Sequence, residues 1–180
     1  MTDNDQYKLG RLFDISAGLR EERRKNVDRA QNYDDIFALV KRIVEEELGE
    51  HRAGLSLVLA RMSNDVGAYY PVGSNVIVIN SSLISGLKRI TKNPKEVNAF
   101  IFMVLMHEYL HSLGYLDENK VRSLAKMICM NSLGPDHPAV KLANANWLET
   151  YPQLGMMDQE VSKEFEVVQK FDSSSTGYIG

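Results

Sequence analysis

The sequence predicts an α+β fold in which helices predominate around a short mixed sheet. Apolar residues recur at helical spacing along most of the 180-residue chain, whereas GLSLVLARM and NVIVINSSLI are rich in branched residues. Apolar positions repeated every three or four residues are typical of helices packed on a core, and runs of branched residues favour strands. With 44% hydrophobic residues, the chain is long enough to bury one sizeable core.

The composition of the chain indicates which kinds of partner and which cellular location to expect. The chain carries 21 Lys+Arg against 24 Asp+Glu, so it has no basic field that would attract a phosphate backbone, and we expect no nucleic-acid partner. The single Cys129 has no disulfide partner, and the polar N-terminus lacks the basic-then-apolar order of a secretory signal. The longest apolar run, AFIFMVLM, is far shorter than a bilayer span. These features predict a cytoplasmic protein without a membrane helix.

Shifts in composition divide the chain into three parts. Residues 1–30 are highly charged but keep apolar residues at roughly helical spacing, which indicates a peripheral helical arm. Residues 31–155 form the predicted central domain, which begins with the amphipathic helix YDDIFALVKRIVEEELGEH. Residues 156–180 contain the acidic stretch MDQEVSKEFEVVQKF and then polar and glycine residues. This composition predicts a C-terminal helix followed by a flexible tail.

A second strong helix signal begins at Asn93, where an N-cap residue precedes Pro94 and an acid follows at the third position. This helix should run to Gly114. Residues 100–106 are apolar on every side, so the helix is predicted to lie in the middle of the fold. Two further helices, ENKVRSLAKMICMNSL and AVKLANANWLE, should follow.

The end of this central helix carries an HExxH pattern at His107, Glu108 and His111. Residues four apart on a helix are about 40° apart around its axis and about 6 Å apart along it, so both imidazoles can converge on one Zn²⁺ ion. Glu108 lies about 100° round from His107, beside the metal, where a carboxylate can act as general base. Three ionisable groups in an otherwise apolar helix would cost several kcal/mol if buried without partners, which favours a metal site.

This pattern resembles the zincin metallopeptidases, in which such a helix carries two zinc ligands and the catalytic base. The resemblance covers residues 93–122 and the preceding strand NVIVIN, which is similar to the edge strand that holds an extended peptide in zincins. It implies a small zincin-like domain, with the edge strand beside the buried HExxH helix. It also implies zinc as cofactor and a peptide or protein as substrate.

The third zinc ligand is open between several residues. The string from His107 to Asp117 is similar to the metzincin pattern HExxHxxGxxH with Asp in the last place, which implies Asp117 as the ligand. Asp117 also precedes a predicted helix and could be its N-cap. In that case His137, which resembles the downstream histidine of SprT-like peptidases, is the alternative, and Glu118 is a further candidate.

The function predicted from these residues is zinc-dependent hydrolysis of peptide bonds, with Glu108 as general base. One alternative is a zinc endoribonuclease, because HSLGYLD resembles part of the HxxxHxxGYxH motif of a bacterial ribosomal-RNA maturation family, although Glu108 stands where that family has glycine. Another alternative is a non-catalytic module with a structural zinc. The C-terminal tail is a further predicted partner, because it could pair with the NVIVIN edge and compete with substrate.

Overall fold

The structure is a computed structural model that describes residues 17–158 and 161–174. Within these residues it contains seven α-helices, four short strands and one 3-10 helix, Pro152–Met156. The helices are α1 Ala17–Arg29, α2 Tyr33–Leu48, α3 Ser81–Thr91, α4 Pro94–Ser112, α5 Glu118–Leu133, α6 Pro138–Asn144 and α7 Trp147–Thr150. The strands are β1 Ser56–Ala60, β2 Ala68–Tyr69, β3 Val76–Asn80 and β4 Phe165–Val167.

The four strands form one mixed sheet in the order β2-β3-β1-β4. Strands β1 and β3 are parallel, with Ser56 opposite Val76, whereas β2 and β4 run antiparallel to their neighbours. The predicted α+β class, helix-rich with a short mixed sheet, is therefore confirmed.

The prediction that NVIVIN is an edge strand was wrong. This segment forms β3, which lies between β1 and β2 because Ala68 and Tyr69 pair with Ile79 and Val78. Two residues are too few to give an alternating pattern, so β2 was not visible in the sequence. The edge strand that lies against the HExxH helix α4 is therefore β2.

Helix α4 occupies the centre of the fold, as its apolar sequence predicted. Phe100, Phe102 and Leu105 are fully buried, and helices α1, α2, α3, α5 and α6 all pack against α4. The predicted start is also confirmed, since the side chain of Asn93 accepts a hydrogen bond from the backbone N–H of Lys95 at 3.1 Å. The HExxH residues thus lie on the most enclosed helix of the fold.

The first described helix, α1, covers the second half of the predicted arm and packs onto the body. Val27 is fully buried, and the buried guanidinium of Arg23 binds Glu47 and the hydroxyl of Ser132. A charged helix can dock in this way because its one buried cation meets both a carboxylate and a hydroxyl group. The remainder of the predicted arm, residues 1–16, lies outside the described residues.

The predicted C-terminal helix is replaced by strand β4 in the described part of that segment. Val167 pairs with Val58 of β1, at the opposite edge of the sheet from β2. Beyond the strand, the Phe171 ring stacks on Phe37 with centroids 4.4 Å apart, and buried Asp172 forms an ion pair with buried Lys41. These contacts draw the segment onto β1 and α2. The pairing with NVIVIN was predicted for the tail after Phe171. Residues 175–180 of that tail lie outside the described part, so this pairing stays a prediction.

No helix among residues 17–158 and 161–174 combines the length and apolar character that a bilayer crossing requires.

Cys129 is fully buried, and burial raises the pKa of its thiol to about 12. A thiol in this environment is a packing group and a poor nucleophile.

Candidate metal centre

The two histidines of the HExxH pattern face each other on the last turns of α4. Their ring centroids lie 4.8 Å apart and their Nε2 atoms 3.1 Å apart. The side chains of His107 and His111 are only 18% and 15% exposed, so only a small part of each imidazole reaches solvent. The spacing of four residues therefore brings the two rings together as predicted.

A turn at the end of α4 fixes the orientation of His111. The Nδ1 atom of this histidine lies 2.7 Å from the carbonyl oxygen of Tyr115, which can only accept a hydrogen bond. In the neutral ring the proton is thus on Nδ1, and the lone pair of Nε2 is directed toward His107. The Tyr115 carbonyl reaches this place because Gly114 adopts a φ of +100° and closes a Schellman motif, with the N–H of Tyr115 bound to the carbonyl of Leu110 at 3.3 Å.

Glu118, the first residue of α5, supplies the carboxylate of the cluster. Its Oε1 lies 3.2 Å from Nε2 of His107, and its Oε2 lies 3.1 Å from Nε2 of His111. Burial lowers the pKa of His107, an effect that the Glu118 charge opposes. A lowered pKa favours the neutral imidazole, which is the form that binds a metal.

The separations of the two imidazole nitrogens from each other, and of each from its nearer Glu118 oxygen, fit a zinc ion. Zinc binds imidazole nitrogen and carboxylate oxygen at about 2.0–2.1 Å, so two ligands of a tetrahedral site are about 3.3–3.4 Å apart. The observed 3.1–3.2 Å is close to this value. The lone pair on Nε2 of His111 and the Glu118 carboxylate are both acceptors, so their proximity is favourable only with a cation, either a proton or a metal, between them.

Neither of the other two candidate ligands joins the cluster. Asp117 is the N-cap of α5, because its Oδ1 accepts a hydrogen bond from the backbone N–H of Lys120 at 2.7 Å. His137 is the N-cap of α6 and is buried beside Asp28 of α1. Within the described part of the chain, the residues that gather as a possible metal site are His107, His111 and Glu118. Glu118 therefore replaces Asp117 and His137 as the candidate third ligand.

Glu108 lies beside this cluster and is almost fully buried. Burial, and secondly the negative charge of Glu118, raise the pKa of Glu108 to about 8, while a hydrogen bond from the backbone N–H of Tyr70 opposes the shift. Tyr70 directly follows the edge strand β2. The carboxylate is thus held between α4 and the end of the edge strand, the position expected of a base rather than of a third ligand.

Arg52 ties the edge strand to the end of α4, a role that nothing in its sequence surroundings indicated. Its guanidinium donates hydrogen bonds to the hydroxyl of Tyr70 at 2.7 Å and to the carbonyl of Ser112 at 2.6 Å. Its backbone N–H donates to the hydroxyl of Tyr109 at 2.8 Å. These bonds fix the position of Tyr70, whose own N–H contacts Glu108. Only the folded chain brings residues 52, 70 and 112 together.

No protein-family model matches this chain, and neither does any curated protein sequence or solved structure. The chemistry of the described residues is therefore the basis for a functional proposal. Tyr109 is fully buried against Phe37, and Tyr115 contributes its backbone carbonyl to the orientation of His111.

Proposed function

We propose that this protein is a zinc-dependent hydrolase that cleaves peptide bonds. The observation that carries the proposal is the convergence of one carboxylate group and two imidazole nitrogens beside a buried glutamate. The nitrogens lie 3.1 Å apart, and each has a different oxygen of the Glu118 carboxylate within 3.1–3.2 Å. Among the described residues three ligand side chains gather, one fewer than the four that close a structural zinc site. Three ligands with an adjacent base are typical of catalytic zinc centres.

A zinc ion held by His107, His111 and Glu118 would supply an activated water with a pKa of about 7. The Glu108 carboxylate receives the proton that water loses when its oxygen bonds to the peptide carbonyl carbon. It then gives this proton to the amide nitrogen as the carbon–nitrogen bond breaks, because an amine leaves more readily than its anion. Burial makes the Glu108 carboxylate a stronger proton acceptor, and the positive charge of a bound zinc ion would keep it ionised at neutral pH.

A peptide substrate fits the surroundings of the site. Strand β2 ends the sheet in the described part of the chain, and Tyr70 at its end contacts Glu108. An extended peptide that pairs with β2 through main-chain hydrogen bonds would pass next to the base. This geometry supports a peptide more directly than an RNA strand, which would require cationic surface along its backbone.

The test is cleavage of casein and of RNA by purified protein, each with and without chelator. We expect zinc-dependent casein cleavage by the wild type, and a Glu108→Gln variant that retains zinc but loses about 10²–10⁴-fold in turnover. RNA cleavage without casein cleavage would support the ribonuclease alternative instead. Full casein cleavage by zinc-free protein, or by Glu108→Gln, would overturn the proposal.

A further inference from the structure

Arg122 lies one helical turn after Glu118 on α5, on the side that faces the histidines. Its Nε donates a hydrogen bond to Oε1 of Glu118 at 3.0 Å, and this oxygen lies 3.2 Å from Nε2 of His107. The guanidinium is therefore separated from the centre of the cluster by a single carboxylate oxygen.

Most of the hydrogen-bonding capacity of Arg122 remains available. A guanidinium has five N–H donors, and within the described residues one of them is used, by Glu118. The side chain is 70% exposed, so the other donors face solvent beside the ligands.

Among the described residues, two other cations near the site, Lys120 and Arg52, have contacts of their own. The Lys120 ammonium lies over the Tyr115 ring at 5.3 Å, and the Arg52 guanidinium is bound to Tyr70 and Ser112. Arg122 is therefore the cation best placed to meet negative charge that develops above the cluster.

We propose that Arg122 is a further catalytic residue, which donates hydrogen bonds to the carbonyl oxygen of the peptide as that oxygen becomes an anion. This inference rests on the proposed peptidase function. When the water oxygen bonds to the carbonyl carbon, the electron pair of the C=O π bond moves onto the carbonyl oxygen. The water proton goes to Glu108. Donors aimed at the new oxyanion stabilise the transition state more than the neutral substrate, and thereby raise kcat.

An exposed ion pair four residues apart on a helix has a simpler role, which is to orient Glu118. The two roles predict different measurements. If Arg122 only orients Glu118, its loss weakens zinc binding by about 10–100-fold, whereas the zinc-saturated variant turns over normally. If Arg122 stabilises the oxyanion, zinc affinity changes little and turnover falls.

The experiment compares Arg122→Gln and Arg122→Lys with wild type and with Lys126→Gln. Lys126→Gln is the control, because it removes one positive charge from an exposed site one turn further along α5. Zinc affinity is measured by equilibrium dialysis. The values of kcat and KM are measured with the casein-derived peptide that the wild type cleaves. Affinity for the phosphinic analogue of that peptide, which carries a negative oxygen in place of the reacting carbonyl, is measured by calorimetry.

For Arg122→Gln we expect kcat to fall by about 10²–10³-fold, with zinc affinity and KM each within about threefold of wild type. Affinity for the phosphinic analogue should fall in parallel with kcat/KM. Arg122→Lys and added guanidinium should each restore part of kcat, and Lys126→Gln should behave as wild type. Normal turnover of zinc-saturated Arg122→Gln, or undiminished affinity for the analogue, would overturn the inference alone. An inactive wild type with full zinc would overturn the proposed function, and the inference with it.

Discussion

The Nε2 atoms of His107 and His111 lie 3.1 Å apart, and the backbone of the chain itself sets this arrangement. The carbonyl of Tyr115 holds Nδ1 of His111 at 2.7 Å, so the imidazole cannot rotate away without losing a hydrogen bond. Ligands that are already oriented lose little conformational freedom when a cation binds. The metal affinity of the site should therefore depend on the turn at Gly114 as well as on the ligands.

The third ligand is the first point to test. Glu118→Gln should weaken zinc binding by at least about 100-fold, because a neutral amide oxygen replaces a charged carboxylate at a divalent cation. Asp117→Asn should have little effect, since asparagine caps a helix as well as aspartate does. His137→Ala should leave zinc affinity unchanged, because His137 caps a different helix. Equilibrium dialysis on the three variants measures their zinc affinities. A larger loss of zinc affinity in Asp117→Asn than in Glu118→Gln would identify Asp117 as the third ligand instead.

The second prediction concerns Gly114, whose φ of +100° is unfavourable for any other residue. A Cβ at this position would meet nothing within 4 Å, so Gly114→Ala should act through the backbone, at a cost of about 1–2 kcal/mol in stability. It should also weaken zinc binding by about tenfold or more, since the Tyr115 carbonyl and Glu118 would shift.

Gly49 offers a matched control for this variant. It ends α2 with a φ of +69°, and a Cβ there would also meet nothing within 4 Å. Gly49→Ala should therefore lower stability by a similar amount in denaturant unfolding while zinc affinity stays at the wild-type value. Equal zinc affinities in the two variants would show that the turn at Gly114 does not orient the site.

Local signals predicted the central part of the fold and the two histidines. The cap at Asn93, the apolar run and the spacing of four residues are all read within one helix, so no tertiary information was required. The third ligand could not be chosen in this way. Asp117 and Glu118 are adjacent acids, and their roles are separated only by the capping bond of Asp117 to Lys120, which leaves the Glu118 side chain to turn toward the histidines.

Long-range contacts account for the features that the sequence did not reveal. Strand β2 is too short to carry a pattern, and it exists because β3 offers a pairing edge. The segment around Phe165 was predicted as a helix from its charge and spacing, but it pairs with β1, a tertiary contact that outweighs local propensity. Arg52 likewise acquires its place beside Tyr70 through folding alone.

The third prediction follows from the raised pKa of Glu108, which is 4.5 in an exposed glutamate and about 8 here. Between these values the folded, metal-free protein binds a proton that the unfolded chain has already released. Stability should therefore fall as pH rises through this window, by up to about 1.4 kcal/mol per pH unit.

Glu108→Gln removes this titration and keeps the shape of the side chain. The metal-free variant should thus be more stable than the wild type near pH 8, and the difference should disappear toward pH 4.5. Urea unfolding at a series of pH values, with chelator present, measures both curves. Parallel curves for the two proteins across this range would contradict the raised pKa.

The last prediction concerns the C-terminal segment. If the tail only competed with substrate, removing the residues after Phe171 would raise peptidase activity and leave stability nearly unchanged. The structure instead predicts a loss of stability. Asp172 and Lys41 form a buried ion pair, and Asp172 also accepts a hydrogen bond from the backbone N–H of Leu55 at 3.0 Å. Breaking a buried pair by removing one partner costs about 3–5 kcal/mol. A truncation after Phe171 should therefore lower the free energy of unfolding by about 3 kcal/mol, measured with denaturant.

A truncation after Ser174 is the matched control, because it keeps Asp172 and removes only residues 175–180. We expect its unfolding curve to overlay that of the full chain. Its peptidase activity answers the separate question of whether the last six residues compete with substrate, since a built-in competitor would lower the apparent affinity for peptide in the full chain. Because β4 pairs at the sheet edge opposite β2, we expect equal KM values for the two proteins. A lower KM after the truncation at Ser174 would indicate that the last six residues compete with substrate. Equal stabilities of the two truncated proteins would contradict the role assigned to Asp172.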